Sequence, residues 1–320
     1  MEAGEASTRF DTACLTQPVL SYIPCPARPQ STRTDNPFHR WDTPAHQLWL
    51  AFYRSGDNRY LLRFDEYADF LIDFVQGKIE AYPTPQITSA TLEHLYLNQI
   101  LPLVQSHQGQ LVLHGSAVVI EGAAVAFLGQ SGAGKSTLAT SFALAGFPFL
   151  TDDGLILTGG AEGLHVMPSH PTVRLWEDSR LSLLGDGATT VMPVQYNSKA
   201  RIVSSSSMPY CDQPQALRAI YILGLEESAE GLAQEAGQAK DDPIHICRLS
   251  PANAVIALIN HSFVLDIEAR EVIARHFDQL TNVASHVPCY SLHYPQRYEV
   301  LNRVQQALKR HCTELEERKP

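Results

Sequence analysis

The chain has 320 residues, of which 44% are hydrophobic and only 18% are charged, with a formal net charge of −10. This composition excludes a globally disordered chain, and the length suggests about two domains that need no disulfide or metal for stability. The acidic balance argues against nucleic acid or an anionic membrane as the main partner.

The chain also lacks the sequence signs of export or membrane insertion. No stretch approaches the ~18 uninterrupted apolar residues of a membrane span, and the acidic first residues are unlike a signal peptide. The six cysteines are scattered and form no Cys-x-x-Cys pair, which fits reduced thiols in a reducing compartment. We therefore expect a cytoplasmic protein.

The residue patterns divide the chain into three regions. Residues 1–45 are rich in Pro, Ser and Thr without a sustained period, which predicts an irregular N-terminal arm. Residues 46–108 are predicted to form a small β-rich unit with a connecting helix. Residues 109–320 are predicted to form an α/β domain. In the β-rich unit the predicted strands are Gln47–Tyr53, Arg59–Phe64, Asp69–Phe74 and Lys78–Tyr82, followed by a helix over 91–107.

The α/β domain is predicted to begin with an interrupted strand over 111–120 and a two-residue turn at Glu121-Gly122. The continuous apolar run Ala123–Leu128 is typical of a strand buried on both faces. A glycine-rich loop separates that strand from the next predicted helix. The further predicted elements are a helix at Lys135–Ala145, strands at Phe147–Thr151, Leu155–Leu157, Leu164–Val166 and Ala219–Leu225, a loop over 226–243, and helices near 251–260, 266–284 and 297–311.

The glycine-rich loop matches the pattern G-x-x-x-x-G-K-[ST] at every fixed position and lies between a predicted strand and a predicted helix. Glycines allow successive N–H groups to face anionic oxygens, Lys135 supplies charge for the β- and γ-phosphates, and Ser136 offers a hydroxyl to Mg²⁺. A glycine turn that binds nothing is the alternative, and the complete motif argues against it. The candidate nucleotide-binding residues are Gly129, Gln130, Ser131, Gly132, Ala133, Gly134, Lys135, Ser136 and Thr137.

An acidic pair, Asp152-Asp153, follows only 17 residues after Lys135. One helix leads away from the loop and one strand returns, so we expect the pair to lie beside the phosphate loop. There one carboxylate can serve a metal while the other accepts a proton from an attacking hydroxyl. A cap or turn is the structural alternative for the pair. His114, on the strand before the loop, is as readily structural as functional.

Three segments carry a family resemblance: Leu113-His114-Gly115-Ser116-Ala117, residues 129–137, and Leu150-Thr151-Asp152-Asp153. They resemble the catalytic domain of HPr kinase/phosphorylase, and more closely the HPr-kinase-like serine kinases found with lasso-peptide biosynthesis genes. The resemblance covers roughly residues 60–310 and is specific over 111–153. It implies a mixed-sheet P-loop kinase domain of the HPr kinase and phosphoenolpyruvate carboxykinase-like type over residues 109–320, preceded by the small β-rich unit, with ATP and Mg²⁺ bound.

The resemblance also implies roles for individual residues. Lys135 would hold the phosphates and Ser136 the metal. Asp152 would be the general base, Asp153 would support the metal or the geometry, and His114 would lie near the reacting phosphate. The acceptor would be a serine hydroxyl, which we expect in a small precursor peptide, and relatives that assemble suggest a homo-oligomer.

Two departures from the family pattern argue against phosphorylase activity and against HPr as the substrate. Thr137 stands where the bifunctional enzymes carry Glu, and their later glutamate-isoleucine-arginine-glycine signature has no match. The alternatives are a non-enzymatic ATP-binding switch, an HPr-type protein kinase, or a small-molecule kinase. Arg174 either neutralises charge on the transferred phosphoryl group or packs its stem, and Lys199 and Arg201 either contact substrate or lie in a solvated loop.

Overall fold

The computed structural model describes residues 20–43, 45–160, 163–169, 172–175, 177–184, 190–191, 200–203, 208–225 and 244–317. Within these ranges the chain forms a mixed α/β structure with one six-stranded, one eight-stranded and one three-stranded sheet. None of the helices in these ranges combines the length and apolar character needed to cross a lipid bilayer. The loop predicted over 226–243 and Lys199 lie outside the described residues.

The first sheet has the strand order β1-β6-β5-β4-β3-β2. The four strands predicted for residues 46–108 are confirmed, and their ends agree with the prediction to within three residues. At the turn from β3 to β4, Asn58 has a φ of 53°, a left-handed conformation that Asn tolerates better than most residues. The strands are β1 (Ser21–Pro24), β2 (His39–Asp42), β3 (Leu48–Gly56), β4 (Arg59–Phe64), β5 (Ala68–Asp73) and β6 (Lys78–Pro83).

Residues 20–43 of the predicted N-terminal arm are less irregular than the sequence predicts, and residues 1–19 lie outside the described residues. β1 pairs in parallel with β6, and β2 pairs antiparallel with β3, so both short strands extend the sheet. The chain between them is tied to the sheet by Gln30, whose amide donates to Asp69 Oδ1 at 2.9 Å. These strands have only four residues each, too few to show a period, and their partners lie far along the chain.

The connecting helix is confirmed, but it changes pitch in its middle. It consists of α1 (Ser89–Leu95), a π-helical turn (Tyr96–Ile100) and α2 (Leu101–His107). Because Pro102 has no N–H and its ring crowds the carbonyl of residue 98, a regular α-helix cannot continue through this point. The helix packs on one face of the first sheet and forms a core that also contains Phe263 and Leu265.

The second sheet carries the glycine-rich loop and has the order β11-β10-β7-β8-β15-β17-β16, with β9 also paired to β7. The predicted two-residue turn between β7 and β8 is confirmed, since Glu121 and Gly122 have φ values of 48° and 75°, as a type I′ turn requires. β7 is one continuous strand rather than an interrupted one. The strands are β7 (Leu111–Ile120), β8 (Ala123–Gly129), β9 (Phe149–Thr151), β10 (Gly154–Gly160), β11 (Gly163–Val166), β15 (Gln215–Leu223), β16 (His245–Arg248) and β17 (Cys289–His293).

Helices cover both faces of this sheet and make a three-layer arrangement. On one face, α3 and α7 pack with residues such as Phe127 and Phe142. On the other face, α5 and α6 pack with residues such as Leu258 and Leu280. The predicted helices of this domain are confirmed with shifted ends. They are α3 (Lys135–Leu144), α5 (Pro251–Asn260), α6 (Arg270–His286) and α7 (Leu301–Glu317), with a short 3-10 turn at Tyr298–Val300.

A third, small sheet has the order β12-β14-β13. Its strands are β12 (Thr172–Leu175), β13 (Thr190–Val191) and β14 (Ala200–Val203), and helix α4 (Glu177–Leu184) follows β12. Arg174 and Arg201 are register partners in β12 and β14, but their side chains lie outside what the structure describes. The roles expected for both arginines therefore stay predictions.

Candidate active site

The glycine-rich loop joins β8 to α3 and leaves the start of that helix open. Gly134 occupies the N-cap position with a φ of 94°, and no described side chain caps the helix. Uncapped N–H groups at a helix N-terminus attract anions. Gly129 is required for a different reason, because a Cβ there would lie 2.8 Å from the carbonyl oxygen of Leu223. The local backbone therefore forms the open cradle that the motif predicts, and anion binding there stays a prediction.

Lys135, the first residue of α3, folds back over the loop. Its side chain is buried, and Nζ donates to the carbonyl oxygens of Gly129 at 2.8 Å and Gln130 at 3.0 Å. These contacts hold the ammonium group at the mouth of the cradle. A positive charge and a set of backbone N–H groups thus lie within one turn of chain, as phosphate binding requires.

The structure brings Asp152 to the same loop. Its Oδ1 accepts hydrogen bonds from Ser136 Oγ at 2.8 Å and from Ser116 Oγ at 2.6 Å. Ser116 lies on β7 and is fully buried, so it fixes the carboxylate from the side of the sheet. The chain does return after one helix, and the first acid of the pair contacts the motif serine.

Asp153 is held in a different way from its neighbour. It has a φ of 63° and is buried, and its carbonyl oxygen lies 3.2 Å from Nδ1 of His114. The contact with His114 follows from the strand register. Gly154 of β10 pairs with His114 of β7, while Thr151 of β9 pairs with Ala117 of the same strand. The acid pair thus fills the junction between β9 and β10, opposite the middle of β7.

His261 is a site residue that sequence reasoning misses. Its carbonyl oxygen accepts from the His114 N–H at 2.6 Å, and Ser262 bridges to Leu113 on the same edge of β7. Burial, and to a smaller degree the charge of Lys135, lowers the pKa of His261 to about 4, so the imidazole is neutral at pH 7. No motif surrounds this histidine in the sequence, and only the strand pairing reveals it.

A cavity of ≈ 220 Å³ opens beside the loop. The first residues of α3 line one side, Asp178 and Ser179 of α4 line another, and Tyr294 and Tyr298 belong to the segment after β17. Thr137 Oγ1 lies 3.2 Å from Ser179 Oγ in the wall of this cavity. The α4 residues and the two tyrosines stand in no recognisable sequence pattern, so only the structure reveals them at this cavity.

The site residues fit Mg²⁺ when it is shared with a nucleotide. Mg²⁺ in such sites takes one or two protein oxygen ligands and completes its shell with phosphates and waters. The hydroxyl of Ser136 and the carboxylate of Asp152 are two hard oxygen donors that already lie side by side. The part of the chain that the structure describes contains no group of three or more His, Cys, Asp or Glu able to hold a metal.

The comparisons with known proteins add a distant structural likeness. No family model and no curated protein matches the chain. Among solved structures, the Hpr(Ser) kinase/phosphatase from Coxiella burnetii is 9% identical, covers 64% of this chain and 98% of its own, and gives a TM-score of 0.32. The site geometry described above stands on this chain's own residues.

Proposed function

We propose that this protein is an ATP-dependent phosphotransferase that moves the γ-phosphate of ATP to a serine hydroxyl of a small precursor peptide. The observation that carries the proposal is the hydrogen bond between Ser136 of the glycine loop and Asp152 at the junction of β9 and β10. It joins a phosphate-binding element to an acidic element, and phosphoryl transfer needs both. A loop with a purely structural role has no use for a returning carboxylate.

Phosphate binding falls to the loop and to Lys135. The N–H groups of the loop and of the first turn of α3 donate to phosphate oxygens. The ammonium group of Lys135, held by the carbonyls of Gly129 and Gln130, offsets the charge on the β- and γ-phosphates. Because these groups are in place before the substrate arrives, binding needs little reorganisation.

We assign the two aspartates in the order opposite to the sequence expectation, and the hydrogen-bond pattern supports this assignment. Asp152 rather than Asp153 contacts Ser136, so Asp152 and Ser136 would hold Mg²⁺. When bound there, Mg²⁺ would offset the charge that develops on the phosphate oxygens. Ser116, which donates to the same oxygen of Asp152, keeps this carboxylate turned toward the loop.

Because Asp152 is assigned to Mg²⁺, Asp153 is the carboxylate that accepts the proton in the transfer step. The acceptor oxygen forms a bond to the γ-phosphorus as the bond from that phosphorus to the bridging oxygen breaks, and ADP leaves with the electron pair. The proton of the acceptor hydroxyl passes to the Asp153 carboxylate. The left-handed backbone of Asp153 and the contact of its carbonyl oxygen with His114 hold the backbone from which that carboxylate projects. A strained conformation of this kind is typical of functional sites.

The peptide acceptor is supported by the sequence resemblance and not by the geometry of the site. A carboxylate placed to accept a proton favours an alcohol as the acceptor over a group that carries none at pH 7. A short peptide with a terminal or exposed serine can reach the junction between β9 and β10 more readily than a serine inside a folded protein.

The proposal is tested by separate replacement of the two aspartates. We expect Asp153→Asn to abolish transfer of phosphate to a serine peptide, measured by mass spectrometry, while the affinity for Mg²⁺-ATP is retained. We expect Asp152→Asn to weaken Mg²⁺-dependent ATP binding, measured by calorimetry at several Mg²⁺ concentrations. Asp278→Asn, at an exposed position of α6, is the matched control and should behave like the wild type.

Two results would contradict the proposal. If the wild-type protein binds ATP but phosphorylates no serine peptide or other alcohol, the protein is an ATP-binding switch. If Asp153→Asn transfers phosphate at the wild-type rate while Asp152→Asn does not, the two roles stand in the order that the sequence suggested.

A further inference from the structure

We infer that the cavity between the glycine loop and the segment after β17 holds the nucleoside of the triphosphate substrate, so that the protein selects nucleotides over bare polyphosphates. This inference rests on the proposed function, because it extends the phosphate site of the loop. It assigns a binding role to Tyr294 and Tyr298, which no motif marks.

The position of the cavity decides which end of the substrate it takes. Ser136 lines the cavity and also contacts Asp152, so it lies between the acid pair and the cavity. The described lining reaches from Lys135 and Ser136 through Thr137 to Tyr298, and it includes neither aspartate of the pair. A phosphate chain whose γ-end lies at Asp152 therefore follows the loop past Lys135 and Thr137, and the sugar and base enter the end of the cavity at Tyr298.

The chemistry of the walls suits a base and a sugar. Tyr294, Tyr298 and Leu301 supply aromatic and apolar surface, while Gln296, Arg297 and Asp178 supply polar groups at the same opening. Aromatic rings bind bases by stacking, and polar side chains at the rim bind ribose hydroxyls and base edges.

A chain of hydrogen bonds stiffens the wall opposite the loop. Thr137 Oγ1 lies 3.2 Å from Ser179 Oγ, which lies 3.0 Å from the hydroxyl of Tyr298. That hydroxyl donates to Asp178 Oδ2 at 2.8 Å. The chain connects the first turn of α3 through α4 to the 3-10 turn. The Tyr298 ring is thereby held in place before the ligand arrives, which lowers the entropy cost of binding.

Tyr294 forms the part of the wall nearest the loop. Its hydroxyl lies 3.4 Å from the position of a Cβ built on Gly134, so the loop backbone and the phenol are in close approach. Burial raises the pKa of Tyr294 to about 12, and the phenol stays neutral at any physiological pH. A neutral hydroxyl at the start of the cradle can donate to a phosphate oxygen without repelling it.

The test compares ATP with inorganic tripolyphosphate, both with Mg²⁺, by calorimetry on the full chain. We expect the wild type to bind ATP more tightly than tripolyphosphate. Loss of base stacking at Tyr298→Ala should weaken ATP binding about tenfold, since stacking on an aromatic ring contributes roughly 1–3 kcal/mol, and should leave tripolyphosphate binding unchanged. Gln296→Trp, at an exposed rim position where folding is not at risk, should likewise impair ATP binding alone.

The control is Tyr67→Ala, which removes a half-buried tyrosine in the turn between β4 and β5 and should leave both affinities unchanged. The inference is overturned if the wild type binds tripolyphosphate as tightly as ATP, because the nucleoside then contributes nothing while the phosphate site stands. It is also overturned if both cavity variants bind ATP like the wild type. Failure of both ligands to bind the wild type would instead remove the proposed function, and the inference with it.

Discussion

At the scale of single residues, His261 shows how a buried titratable group can sit at the site without a motif. Only 8% of its surface is exposed, and its backbone carbonyl holds the N–H of His114. Burial and the nearby charge of Lys135 together keep the ring uncharged. A charged imidazole at this place would repel the lysine that the phosphate site needs, so the neutral form belongs to the native state.

The lowered pKa of His261 makes a prediction about stability and pH. The pKa falls from 6.5 to about 4 on folding, so between these values the unfolded chain binds a proton that the folded chain does not. The free energy of unfolding therefore falls as the pH drops from 6.5 to 4. We expect His261→Gln to flatten that decline by about 3 kcal/mol, measured by urea unfolding at a series of pH values.

The control for this measurement is His286→Gln, at the exposed end of α6, which should keep the wild-type decline. Part of the decline should remain in His261→Gln itself, because burial also lowers the pKa values of His107 and His276. A decline in His261→Gln as steep as in the wild type would show that this imidazole is not excluded from water.

At the scale of elements, residues 261–268 fasten the first sheet to the site. Leu113 pairs with Ser262 at one end of this segment. At the other end, Asp266 accepts hydrogen bonds from Arg54 of β3 at 2.6 Å and from Tyr60 of β4 at 3.0 Å. Burial raises the pKa of Asp266, but the hydrogen bonds from Arg54, Tyr60 and a backbone N–H outweigh it and hold the pKa below its usual value.

Two carboxylates on the same arginine give an internal comparison. Arg54 pairs with Asp266, whose side chain is 3% exposed, and with Glu268, whose side chain is 56% exposed, both at 2.6 Å. We expect Asp266→Ala to lower the free energy of unfolding by about 2–3 kcal/mol, because it leaves Tyr60 and part of Arg54 without a buried partner.

Glu268→Gln should cost less than about 1 kcal/mol, since an exposed ion pair is screened by water. Urea unfolding of both variants under identical conditions measures the difference. Equal losses would mean that the buried network does not join the first sheet to residues 261–268.

At the scale of the whole molecule, the site lies at one end of the second sheet, which is packed between two layers of helices. The glycine loop leaves the carboxyl end of β8, a central strand with helices packed on both faces. Ligands of α/β sheets bind in this position because the strands end there and the helix N-termini point toward the same place. Substrate binding should therefore stabilise the entire second sheet.

This arrangement predicts that Mg²⁺-ATP stabilises the protein as a whole. A ligand that binds only the folded state at about 100 times its Kd adds roughly 2.7 kcal/mol, so Tm should rise with ATP concentration. Lys135→Met should abolish most of that rise, because it removes the charge that faces the phosphates. Lys309→Met, at an exposed position of α7, is the control. A full rise in Lys135→Met would mean that ATP binds away from the loop.

Local sequence determined those parts of the site that depend on neighbours in the chain. The glycine spacing, Lys135 and Ser136 lie within eight residues, and their geometry follows from backbone conformation and helix start alone. The strands and helices around them were also predictable, because alternating and helical hydrophobic periods reflect burial on one face. The π-helical turn before Pro102 is also a local effect, because it follows from the missing N–H and the ring of the proline itself.

Only the tertiary structure decided which distant residues meet at the loop. Strand register put Ser116 on Asp152, brought His261 beside His114, and turned β1 and β2 of the expected arm into edge strands. Packing of α4 and of the segment after β17 against the loop made the cavity with Tyr294 and Tyr298. Such contacts join positions far apart in the chain, and they arise from burial and hydrogen bonding across elements, which leave no periodic trace in a single sequence.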